Sequence, residues 1–210
     1  MNIYFNAEYT GLNENAKLIS LGFMTGDGEK LYIEVANVPQ YLITPEIRAA
    51  ILPDTYLYDT SIESFDDRIE AGEQAAEKYN YTYRVVYNDQ IGGVVDKWFQ
   101  SLLEDRTNEK IQLVSYCSHY DFCLLLNTFQ GQIPEYLNPV CYDIYQDMIE
   151  SLGEYGKPFS QRVDQTLSAA SSFLTTGEVD GYMRKIDMPE YPKDHSLKFA
   201  HLIKHIHEIF

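Results

Sequence analysis

Tyr4-Phe5-Asn6-Ala7-Glu8-Tyr9-Thr10-Gly11-Leu12 is the stretch on which the reading of this chain turns. Asn2–Asn6 is a short β-rich run, and the side chains of a strand alternate between its two faces. Asn6 and Glu8 therefore project together where the strand ends. The Thr10-Gly11 that follows makes a tight backbone turn beside that face. A carboxylate there suits a hard cation such as Mg²⁺, which takes oxygen ligands. Taken alone, the pattern is a weak signal and is better read as a polar strand end running into a loop.

Working outward, two more extended segments follow. Lys17–Thr25 is largely apolar and Lys30–Val38 partly alternates, with the hairpin signal Gly26-Asp27-Gly28 between them. Thr44-Pro45-Glu46 opens a short helix with a Thr cap, a Pro at the first position and an acid in the first turn. Thr60-Ser61-Ile62-Glu63 fits a capping box ahead of a polar helix ending near Tyr79. Tyr81–Tyr87 reads as a strand. Val94, Val95, Trp98, Phe99, Leu102 and Leu103 recur at helical spacing and predict a helix from about Gln90 to Leu103. Lys110–Cys117 reads as a buried strand, Asp121–Phe129 and Val140–Leu152 as helices, and Gly153–Gln165 as a long loop. Phe199, Leu202, Ile203, Ile206 and Ile209 mark a closing helix over Ser196–Phe210. Strands first, then helices interleaved with strands, describe an α/β domain with a mixed sheet. One domain over residues 1–210 is the expected count.

Composition narrows the class. With 210 residues, 45% of them hydrophobic, the chain can bury a sizeable core. No run approaches the roughly 18 apolar residues of a membrane span. The opening residues read as a strand, not as a signal peptide. Of the three cysteines, Cys117 and Cys123 lie in apolar surroundings and read as buried free thiols, and the odd, unclustered count suits a reduced, cytoplasmic protein. Thirty-two acidic against sixteen basic residues give a formal charge of −16. Proteins that track long duplexes show the opposite balance, because phosphate contacts dominate that binding.

Two further residues could carry chemistry. Asp121 follows the hydrophobic strand at a helix start, where acids also serve as ordinary caps. His195 begins the last helix and could act as a general base, although a histidine there is often only a surface residue. His201, His205 and Glu208 share a helical face; a solvated polar face opposite Phe199, Ile203 and Ile206 explains them better than Zn²⁺ does. The acids between Glu63 and Glu77 read as a solvated face.

Together these motifs resemble the DnaQ-like DEDDh 3′–5′ exonucleases. That family opens with Asp-x-Glu before a Thr-Gly-Leu turn, places an Asp at a helix start after a buried strand, and ends with His followed five residues later by Asp. Asn6-Ala7-Glu8 with Thr10-Gly11-Leu12, Asp121 and His195 occupy those places in that order. The segments LISLG (Leu18–Gly22) and YIE (Tyr32–Glu34) extend the likeness to the small bacterial and phage exoribonuclease-like subgroup. The resemblance covers residues 1–129 well, 130–194 thinly and the final helix moderately. It implies an RNase H-like mixed central sheet flanked by helices, and a 3′–5′ exonuclease acting on short single-stranded RNA or DNA with Mg²⁺ or Mn²⁺. His195 would be its general base, Glu8 and Asp121 its metal ligands, with Asn6 a weak one. Tyr9, Thr10 and Leu12 would contact the terminal nucleotides.

Two departures bear on activity. Asn6 stands where the family has its first Asp, and Ala200 where it has its last. A neutral amide keeps one carbonyl donor and loses a full charge, and Ala200 donates nothing, so too little charge remains to hold two dications tightly. Catalysis is then lost, rebuilt with Asp194, Glu190 or His201, or removed by deliberate exchange of acids. The alternatives to an exonuclease are an inactive nucleotide-binding relative and an acidic module for a basic protein partner. The closing Ile206/Ile209/Phe210 surface is a candidate homodimer contact.

Overall fold

The computed structural model describes residues 1–11, 13–104, 106, 109–116, 118–144 and 195–209. Six strands form one sheet: β1 (Asn2–Tyr9), β2 (Leu18–Thr25), β3 (Lys30–Val35), β4 (Thr82–Val86), β5 (Gln112–Ser115) and β6 (Tyr142–Asp143). Their order across the sheet is β4-β3-β2-β1-β5-β6. β2 pairs antiparallel with both β1 and β3, whereas β3–β4, β1–β5 and β5–β6 are parallel. Thus β2 alone runs against the other five. This is a mixed central sheet flanked by helices, as the order of elements in the sequence predicts.

The alternation of β1 sorts the flanking helices. Ile3, Phe5 and Ala7 point into the largest apolar cluster, together with Val95 and Phe99 of α3 (Ile91–Leu103) and Phe122 and Leu125 of α4 (Ser118–Thr128). On the other face Tyr4 packs with Val114 and with Leu202 and Ile203 of the last helix, α5 (His195–Ile209). Beside it, Tyr32 meets Leu197 of α5 and Ala75 and Ala76 of α2 (Phe65–Tyr79). Every residue of β2 is buried, because helices cover the sheet on both sides there. That is why Leu18–Thr25 reads as a nearly continuous apolar run instead of an alternating one.

Local signals explain most boundaries. The Thr44 hydroxyl accepts from Ile47 N, capping α1 (Pro45–Ala50) as its sequence predicts. The capping-box reading of Thr60–Glu63 is corrected: Ser64 caps α2 by accepting from the amides of Asp66 and Asp67, while the Ser61 hydroxyl donates to Asp59. β1 continues past Asn6 to Tyr9 because β2 pairs along its whole length. The helix expected from Val140 is also corrected. Tyr142 and Asp143 instead pair parallel with Val114 and Ser115, extending the sheet by one short strand. Residues 145–152 of that expected helix, the loop over Gly153–Gln165, Cys117, Glu190 and Asp194 lie outside the described residues. Cys123 is exposed, contrary to expectation, since α4 turns Phe122 and Leu125 inward. Among the described residues no helix is long and apolar enough to cross a membrane.

Candidate active site

The carboxyl end of β1 is the focus. Asn6 and Glu8 share a face as expected, and Asn6 Nδ2 donates to Glu8 Oε1 at 3.0 Å. Across the ladder Asn6 lies opposite Gly22 and Glu8 opposite Ser20. The first turn of α5 rests on those two β2 residues. Ser20 Oγ donates to Ser196 Oγ at 3.2 Å, and a Cβ added to Gly22 would stand 2.4 Å from Leu197 N and from the Ser196 carbonyl carbon. Only glycine permits that approach. The helix beginning at His195 is thereby seated on the Asn6–Glu8 face of the sheet; the described residues include the His195 backbone but not its side chain.

Asp121 arrives from the other side. It lies in the first turn of α4 and is buried, with 1% exposure. Ser115 Oγ, at the end of β5, donates to Asp121 Oδ2 at 2.6 Å. Asp121 thus ties α4 to the central strand β5. Burial above all pushes its pKa up to about 7, with the Glu8 and Asp143 carboxylates adding to the rise and the Ser115 hydroxyl opposing it. Glu8, more than a hundred residues away in sequence, is close enough for its charge to act on Asp121.

Sequence reasoning missed Asp143. Its Oδ2 accepts from Ser118 N at 3.3 Å and from Ser118 Oγ at 2.8 Å, capping α4 from the neighbouring strand β6. Its only signal was the Tyr142-Asp143 pair just after Pro139-Val140, which was absorbed into a helical reading. Glu8, Asp121 and Asp143 therefore crowd negative charge along the carboxyl ends of β1, β5 and β6. This is the edge at which open α/β sheets take their ligands.

Aromatic residues border this edge. Tyr9 and Tyr120 approach with ring centroids 6.4 Å apart, and His119 lies 4.6 Å from Tyr120. Thr10 is buried and closes the loop after β1: its hydroxyl accepts from Lys17 N, and its amide donates to the Lys17 carbonyl. Leu12 is outside the described residues. A groove of about 410 Å³ opens nearby, lined by Lys17, Asn88, Leu124 and Asn127 among others, but its lining includes neither Glu8 nor Asp121.

The described residues do not by themselves supply the ligands of a pair of dications. Among the described residues no group of three His, Cys, Asp or Glu side chains is placed to enclose a metal ion. Ala200, five residues beyond His195, is wholly buried and has no donor to give. One oxygen of Glu8 is engaged by the Asn6 amide and one of Asp121 by the Ser115 hydroxyl. His201, considered as a substitute ligand, stacks on His205 with Nε2 atoms 2.8 Å apart. It is buried rather than on a solvated face, because α5 crosses the sheet.

No family model matches the chain, and no curated protein matches it. Among solved structures, the nuclease domain of 3′hExo, described as a DEDDh family member bound to rAMP, matches with 16% identity and a TM-score of 0.49. The match covers 99% of this chain and 92% of that one.

Proposed function

We propose that this chain is a 3′–5′ exonuclease-type protein that takes the 3′ end of a short single strand of RNA or DNA at the carboxyl edge of its sheet. Hydrolysis is metal-dependent and weakened by Asn6 and Ala200. The observation that carries the reading is the meeting of Glu8 and Asp121 from distant elements, with the start of α5 seated on the same face of β1 and β2. Tyr9 and Tyr120 offer faces on which a terminal base can stack. The motif order gives His195, the first residue of α5, the role of general base. The formal charge of −16 restricts the ligand to one with few phosphates.

A second reading, an inactive relative that holds a nucleotide without turnover, is favoured by one specific contact. Asn6 donates a hydrogen bond to Glu8, where a second carboxylate would share a cation with it. A titration of Mn²⁺ or Mg²⁺ with an end-labelled short RNA separates the two. Stepwise shortening that disappears in Glu8→Gln supports the exonuclease. Mononucleotide binding without cleavage supports the inactive form. Cleavage that survives Glu8→Gln would exclude the proposed site.

A further inference from the structure

β4 is an edge strand: among the described residues only β3 pairs with it. Ala36 N donates to the Val86 carbonyl, so the main chain of Val86 faces β3. Alternation then turns the main chain of Tyr83, Val85 and Tyr87 to the outer edge. Two of these outward groups are engaged by side chains. Arg84 Nη1 donates to the Tyr83 carbonyl at 2.7 Å, and Tyr87 N donates to Gln90 Oε1 at 3.0 Å. The amide and carbonyl of Val85 lie between those two guarded positions.

A groove of about 350 Å³ runs along this edge, between β4 and helix α2. Phe65, Ile69 and Glu73 form its helical wall at i, i+4 and i+8, and Val85 and Tyr87 line the strand side. Phe65 and Tyr87 are 49% and 54% exposed, a large apolar surface for two adjacent aromatic residues. The helix beside them carries exposed Asp66, Asp67, Glu70, Glu73 and Glu77.

We infer that this groove binds an extended peptide segment that carries apolar residues and a Lys or Arg on the same face, at every second position, and adds as a strand to the outer edge of β4. The Val85 amide and carbonyl pair with the main chain of the segment, and on the side that faces α2 its apolar side chains settle on Phe65 and Ile69 while its cation faces Glu73 and Glu70. Charge selects the occupant: a second copy of a chain with a formal charge of −16 would bring acid against acid. The inference is independent of the nucleic-acid reading and uses none of its residues.

The test is fluorescence anisotropy of the full chain with the labelled heptapeptide Thr-Val-Thr-Val-Thr-Lys-Thr, which puts both valines and the lysine on one face, beside the same peptide with glutamate in place of lysine. Binding of the lysine peptide alone is expected. Val85→Pro removes one outward amide from an edge strand, where proline is tolerated, and should weaken binding at least tenfold. Glu70→Lys combined with Glu73→Lys, on the exposed face of α2, should do the same without touching the sheet. Amide exchange supplies a readout that needs no variant. The peptide should slow exchange at Val85 and leave Val86, already turned toward β3, unchanged. Equal binding of both peptides, affinity unchanged in the charge-reversed variant, or no slowing at Val85 would overturn the inference. So would sedimentation showing a dimer that pairs through β4 in the absence of peptide.

Discussion

Asn6 Nδ2 donates to Glu8 Oε1 at 3.0 Å, so the two candidate site positions of β1 pair with each other without a cation. An acid at position 6 would instead face Glu8 and Asp121 as a third negative charge. Asn6→Asp should therefore lower stability by about 1–2 kcal/mol in EDTA, through the lost hydrogen bond and the added repulsion. Mn²⁺ should restore the loss. Thermal melts with and without the ion check this; a variant as stable as the parent in EDTA would show that the carboxylates are not close in solution.

Gly22 is the seat of α5. Gly22→Ala would place a methyl group 2.4 Å from the backbone of Ser196 and Leu197, neither of which can rotate away. A loss of about 1–3 kcal/mol is expected from overpacking, read as a shift in the urea midpoint. Because α5 carries His195, any cleavage activity should fall with it. An unchanged midpoint would mean that α5 docks elsewhere.

Glu34 is wholly buried and holds the loop before α2 to the sheet. Its carboxylate accepts from the amides of Tyr56 at 2.8 Å and Leu57 at 2.7 Å, and from the hydroxyls of Tyr32 and Tyr83. Glu34→Gln must turn an NH₂ group against one of those two amides, costing about 1–3 kcal/mol. Hydrogen exchange at Tyr56 and Leu57 should quicken in the variant, which distinguishes a released loop from general weakening.

His201 gives the fold a pH dependence. Burial first, then the neighbouring His205, Lys30 and Lys204, holds its pKa down to about 4 from the usual 6.5, while Glu208 faces His205 at 3.6 Å. The unfolded chain takes up the proton first. The contribution of neutral His201 is thus complete above about pH 6.5 and is lost as the pH falls toward 4. The loss is on the order of 2 kcal/mol. Urea midpoints at pH 7.5 and 5 should differ less for His201→Gln than for the parent, a difference in which other buried acids cancel.

How much of this was legible in the sequence follows from where each signal lives. The apolar run of β2, the Thr44 cap and the stripe of α3 are local patterns, and they mark their elements. Asn6 and Glu8 share a face because alternation along a strand is local as well. Asp143 was missed because its strand has two residues and owes its existence to pairing with Val114 and Ser115, a contact no short window contains. The burial of His201 was missed for a similar reason: α5 crosses the sheet and buries more than one helical stripe. Cys123 failed in the opposite sense, since an apolar neighbourhood in sequence does not say which side of α4 turns inward.

The most direct measurement is on the double variant Asn6→Asp with Ala200→Asp, which returns the two missing acids to the site. Titrated with Mn²⁺ and an end-labelled RNA of about five nucleotides, it should bind the ion more tightly than the parent and shorten the RNA from its 3′ end at least tenfold faster. Adding Glu8→Gln should abolish that gain. If the double variant gains neither metal affinity nor hydrolysis while remaining folded, then Glu8, Asp121 and the start of α5 do not form the end-binding cleft.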